Sequence, residues 1–73
     1  MPFDLARELD RIATDIAPGA LRRYAYQRCI ARLEHDRAQV RDLAAKGRLR
    51  GLIQHVRFLA RTEPDAGAQG AAP

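Results

Sequence analysis

Residues 20–46 read ALRRYAYQRCIARLEHDRAQVRDLAAK, and they contain neither glycine nor proline. Alanine, leucine and arginine dominate the stretch, and all three are good helix formers. The reading is therefore one long central helix, about 40 Å from end to end at 1.5 Å per residue. Its main apolar face carries Ala25, Tyr26, Cys29, Ile30, Leu33, Val40, Leu43 and Ala44, with Asp36 and Arg37 interrupting it. A second, shallower stripe of Tyr24, Ala31, Ala38 and Ala45 recurs every seven residues on the opposite side. Small residues at heptad spacing let another helix approach closely. The central helix thus has two faces able to pack.

Outward from this stretch, the chain divides into two more helical patterns. Upstream, residues 3–16 place Leu5, Leu9, Ile12, Ala13 and Ile16 on one stripe, with charges on the other side. Pro2 suits a first helical turn, and Pro18-Gly19 ends the helix and turns the chain. Downstream, Gly47 after Lys46 reads as a C-terminal cap, since glycine tolerates the left-handed conformation. Residues 48–62 then repeat the pattern with Leu49, Leu52, Ile53, Val56, Leu59 and Ala60. From Glu63 the chain is rich in Pro, Gly and Ala without an anchoring side chain, and 63–73 reads as a disordered tail. An alternative parse makes 20–62 a single helix bent at Gly47 and Gly51.

The fold class is all-α: a small three-helix array of helical hairpins with a long central helix, forming one domain over 1–62. Two short helices lying along opposite halves of a 40 Å helix would overlap little. Such a zigzag has two thin seams instead of one core. It leaves Leu5, Leu9, Ile12 and Ile16 partly wet, and exposed apolar surface of that kind marks an interface. With Tyr24, Ala31 and Ala38 as the second packing stripe, the expectation is a homodimer. The competing arrangement is a compact three-helix bundle with a bent central helix, which needs no partner.

Seventy-three residues carry a net charge of +4, unevenly placed. Residues 1–45 hold eight arginines against seven acids. Residues 46–62 hold Lys46, Arg48, Arg50, Arg57 and Arg61 with no acid. Arg50, Gln54, Arg57 and Arg61 fall on one continuous stripe opposite the apolar face of the third helix, and Phe58 lies beside it. Like charges four residues apart repel within a helix, so a stripe that tolerates them is a candidate for an external anion. Arginine forks match carboxylates and phosphates alike. The partner-binding candidates are accordingly Lys46, Arg48, Arg50, Gln54, Arg57, Phe58 and Arg61. On the other helices, Glu34/Arg37 and Asp42/Lys46 read as ordinary surface pairs.

An enzyme is not expected. There is no serine nucleophile, Cys29 sits on an apolar face, and His35 and His55 lack a partnering acid at a recognisable spacing. A lone cysteine excludes an internal disulfide, and no metal or cofactor is expected because Cys29, His35 and His55 are not at ligand spacing. No segment is apolar enough to span a membrane, and the start of the chain does not resemble a secretory signal, so the expected location is cytoplasmic. The expected function is a protein-interaction module (an adaptor, inhibitor or regulator) that binds an acidic partner surface through the third helix. The alternative is a sequence-tolerant nucleic-acid binder acting as a dimer. It lacks a helix-turn-helix pattern and the Asn and Ser side chains that commonly read bases. A compact phage- or plasmid-type inhibitor of a host complex is a third role compatible with this size. Attachment of the third helix to a membrane surface is the weakest, because its arginines sit opposite the apolar stripe instead of flanking it.

Overall fold

The computed structural model describes residues 3–64, and these form three helices without a strand: α1 (Leu5–Asp15), α2 (Ala20–Gln39) and α3 (Leu43–Thr62). Each start has a local cause. At α1, the Asp4 carboxylate accepts a hydrogen bond from the Arg7 amide at 3.2 Å, supplying one of the acceptors that the first turn lacks. Gly19 opens α2 at a φ of 112°, a conformation that any side chain would strain. At α3, Asp42 accepts from the Ala45 amide at 2.8 Å. The α1 C-terminus is closed by Arg22, whose guanidinium donates to the Ile16 oxygen at 2.8 Å and the Ala13 oxygen at 3.0 Å. Pro64 ends α3, holding Glu63 in an extended conformation.

The central helix is shorter than the sequence suggests. It stops at Gln39, not at residue 46, and α3 starts at Leu43, not at 48. Gly47 and Gly51 lie inside α3 and cap nothing. The break falls at Val40-Arg41-Asp42, where no glycine or proline marks it. Its cause is tertiary. Continuing α2 would leave the apolar stripe of α3 in water, whereas breaking it folds α3 back as an antiparallel hairpin. That buries Ile53 and Val56, roughly 1.5–3 kcal/mol for each aliphatic side chain. The Asp42 cap adds about 1 kcal/mol, and Val40 has modest helix propensity to lose. Val40 is left half-buried, while Leu43 and Ala44, read as part of the α2 face, are exposed on the first turn of α3.

Breaking α2 there makes α2 and α3 equal at 20 residues, about 30 Å each. The end of α3 then reaches the α1–α2 turn, and side chains from all three helices meet in one core, although α1 and α3 touch each other little directly. Its least exposed side chains, Ile12, Leu33 and Val56, come one from each helix. Tyr26, Cys29, Ile30, Ile53 and Ala60 complete it, and Leu5, Leu9 and Ile16 pack against it half-buried. The expectation of two thin seams is corrected accordingly. Ile12, expected to stay partly wet, is fully enclosed. On the second stripe read along α2, Tyr24, Ala31 and Ala38 face solvent, while Ala45 falls in α3 and is half-buried.

Glu63 joins the two ends of this arrangement. Its carboxylate, only 6% exposed, accepts from the buried Gly19 amide at 3.0 Å and lies 4.0 Å from the Arg22 guanidinium. Arg23 donates to the Glu63 backbone oxygen at 3.3 Å. The expected tail therefore begins later than 63; its remainder, 65–73, lies outside the described residues, as does Pro2. Burial, reinforced by the Glu63 charge, pushes the Tyr26 phenol above its ordinary range. Among the described residues, no buried side-chain nitrogen or oxygen lacks a hydrogen-bond partner, and no helix is long and apolar enough to cross a membrane.

Candidate partner-binding site

Helix geometry sorts the basic residues of α3. At about 100° per residue, Arg50, Gln54, Arg57 and Arg61 share one side, whereas Arg48 projects about 160° away from Arg50. All five are exposed, and Lys46 is half-buried at the edge of the row. The row does not lie opposite the core. It flanks it, on the side facing α2, because the buried positions Ile53, Val56 and Ala60 centre about 100° from it. Phe58 is 52% exposed on the outer side of the row.

The hairpin register brings α2 residues to this row. Arg23 and Gln27 join Arg57, Ala60 and Arg61 around a shallow groove of about 410 Å³ on the α2–α3 seam. Three guanidiniums and a carboxamide thus converge on one depression. Arg23 is held there by its bond to the Glu63 oxygen. The Arg23 and Gln27 contributions are invisible along α3 alone, since they depend on which turn of α2 pairs with the end of α3. The one available signal is the antiparallel hairpin itself, which sets residues near 20 beside residues near 63.

Charges on the seam differ from expectation in one respect. Arg57 is not free of acids: it donates to Glu34 at 2.8 Å, across from α2. Glu34 was expected to pair with Arg37, and Asp42 with Lys46; Asp42 instead caps α3. Both members of the Arg57–Glu34 pair are about half exposed (54% and 51%), so water and salt hold its contribution to about 1 kcal/mol or less. Such a pair is readily exchanged for a stronger external acceptor. Among the described residues, no side chain pairs with Arg50 or Arg61.

A second depression lies on the other side of α2, between it and α1. It is an open groove of about 850 Å³ that the sequence reading did not anticipate. Ile16, Ala25 and Cys29 form its apolar lining, with Leu21 and Tyr24 standing at its edge 67% and 63% exposed. Its α1 rim carries Glu8, Arg11 and Asp15; its α2 rim carries Arg28 and Arg32. Most of these charges are already matched. Arg11 donates to Glu8 and holds that carboxyl below its usual range. Arg32 donates to Asp36 at 3.2 Å and lies 5.3 Å from the centre of the Phe3 ring. Asp15 and Arg28 make no side-chain hydrogen bond or ion pair among the described residues.

Cys29 is 4% exposed, and burial pushes its thiol above the ordinary value of 9.0. In the folded chain it is a protonated, apolar side chain and a poor nucleophile. His35 and His55 are exposed, and among the described residues no three His, Cys, Asp or Glu side chains gather as metal ligands. Comparison with protein-family models, curated proteins and solved structures finds no match to this chain.

Proposed function

We propose that the protein is a non-enzymatic interaction module that binds an acidic protein surface through the α2–α3 seam. The observation that carries this reading is the convergence of Arg23, Arg57 and Arg61 on one groove, continued along α3 by Gln54 and Arg50, with no acid on α3 itself. Phe58 and Leu43, exposed beside the row, supply apolar contacts. Arginine and aromatic residues interleaved in this way are the side chains enriched at the centres of protein interfaces. Carboxylates on the partner replace Glu34 at Arg57 and take bidentate bonds from Arg61.

Nucleic acid is the second reading, supported by the groove's ring of guanidiniums, which suits a phosphate as well as a carboxylate. Such binding is sequence-tolerant and steeply weakened by salt.

The test compares the parent with Arg57→Glu/Arg61→Glu in capture from lysate, each sample split and half treated with nuclease. Both positions are exposed, so circular dichroism should show unchanged helix content. A protein retained by the parent in both halves, and lost by the double variant, supports the first reading. Loss of capture after nuclease transfers the seam to nucleic acid. Equal capture by parent and variant removes the seam as the binding site.

A further inference from the structure

We infer that the α1–α2 groove is a self-association site, occupied by the α2 edge of a second copy of this chain related by a two-fold axis near Ala25. The inference concerns the face of α2 away from the basic seam and does not rest on the function proposed above.

The groove sets a depression beside a ridge. Its lining is small and apolar at Ala25 and Cys29, yet two large apolar side chains, Leu21 and Tyr24, stand at its edge more than 60% exposed. A depression and a ridge side by side are self-complementary under a two-fold rotation, because each copy offers its ridge to the other's depression. Leu21 and Cys29 are equidistant from Ala25, four residues to either side. In an antiparallel α2–α2 contact centred on Ala25, Leu21 of each protomer therefore enters the groove of its partner at the level of Cys29.

The charges select the same alignment independently. Asp15 and Arg28 are the two rim residues with no side-chain partner of their own among the described residues, whereas Glu8, Arg11 and Arg32 are already paired. α1 runs antiparallel to α2, with Phe3 beside Arg32 at one end and Ile16 beside Arg22 at the other. That direction puts Asp15 level with the start of α2, near residues 21–22. Arg28 of the second copy, three residues beyond the axis at Ala25, arrives at the same level. The dimer so formed carries two symmetric Asp15–Arg28 pairs, one at each end, and places Leu21 in the groove with no adjustment of register.

The experiment is a charge swap read by sedimentation and light scattering across about 1–500 µM protein. The parent is expected to shift toward twice its 8.2 kDa mass as concentration rises. Arg28→Asp and Asp15→Arg alone each break both symmetric contacts and set like charges opposite one another, raising the dissociation constant by roughly 100-fold. The combined Asp15→Arg/Arg28→Asp chain restores the pairs with reversed polarity and recovers dimerisation to within about 10-fold of the parent. Leu21→Ala weakens association without restoring partner. Both charged positions are exposed, so helix content by circular dichroism serves as the folding check, and Arg28→Lys, which retains the charge, must dimerise if the single variants fail for electrostatic reasons. A parent that stays monomeric up to 500 µM overturns the inference, as does a dimer that ignores Arg28→Asp or a double variant no better than the singles.

Discussion

Replacing Glu63 by alanine separates two pictures of the end of this chain. As part of a solvated tail, Glu63 would contribute nothing, and surface truncations of that kind stay within about 0.5 kcal/mol. The structure gives its carboxylate a different place, 6% exposed, against the amide of a buried glycine and beside Arg22. Removing it costs the hydrogen bond between the Gly19 N–H and a charged acceptor, about 1.5–3 kcal/mol. It also removes the Glu63 carboxylate from beside Arg22, although that guanidinium keeps its bonds to Ile16 and Ala13. The Arg23 bond survives, because it goes to the Glu63 backbone. The total is a destabilisation of about 2–3 kcal/mol. In a domain of this size that lowers Tm by about 10–20 °C.

The assay is urea unfolding followed by circular dichroism, with Glu63→Gln alongside. The carboxamide oxygen can still accept from Gly19, so Glu63→Gln should lose only the charged part of the bond, about 1 kcal/mol. The midpoint should fall in the order parent, Gln, Ala, with the slope unchanged. If both variants unfold with the parent, Glu63 does not join α3 to the α1–α2 turn, and the meeting of the three helices in one core loses its terminal tie.

The other expectations follow from single positions. Gly47→Ala and Gly51→Ala should each stabilise by about 0.5–1 kcal/mol, because both lie in the helix interior and an added Cβ meets nothing within 4 Å; a loss of stability in thermal melts would argue that α3 starts after Gly47. Asp42→Ala should cost about 1 kcal/mol by removing the α3 cap, measurable by chemical denaturation, and no loss would place the helix break elsewhere. Cys29 titrates from a raised value because of its burial, so its contribution to stability is complete below the ordinary thiol value of 9.0 and is lost as pH rises through the folded value. Native Cys29 should accordingly react with an aromatic disulfide reagent only at the rate at which the domain opens, and rapid labelling at pH 8 would show the thiol to be at the surface.

What could be read along the chain, and what could not, divides by the range of the interactions involved. Leu5, Leu9, Ile12 and Ile16 announce the inner face of α1 by their spacing, and Tyr26, Cys29, Ile30 and Leu33 do so for α2; these are properties of single helices. The boundary between α2 and α3 is not such a property. Asp42 sits four residues before Lys46, which imitates a surface pair within a continuous helix, while Gly47 imitates a cap. Only the gain from folding Ile53 and Val56 onto Ile30 and Leu33 makes Asp42 the better start. The candidate site divides in the same way. The row Arg50, Gln54, Arg57, Arg61 is legible in α3, but Arg23, Gln27 and the Glu34 contact depend on hairpin register, and the α1–α2 groove depends on where α1 lies.

The two proposed surfaces have a joint consequence that neither has alone. On α2, the groove edge at Leu21 and Arg28 and the seam at Arg23, Gln27 and Glu34 lie more than about 100° apart around the helix axis. A dimer formed through the groove therefore leaves both basic seams free and presents two of them on one particle. Each seam must displace its own Arg57–Glu34 pair, which limits the strength of a single contact. Two linked contacts raise the total through effective concentration, without any new bond. An acidic partner that repeats its surface should consequently bind the parent far better than the monomeric Arg28→Asp chain, while a single-site fragment of the same partner should bind the two equally. Equal discrimination against both forms would instead mean that Arg28 itself touches the partner, and the groove and the seam would have to be treated as one surface.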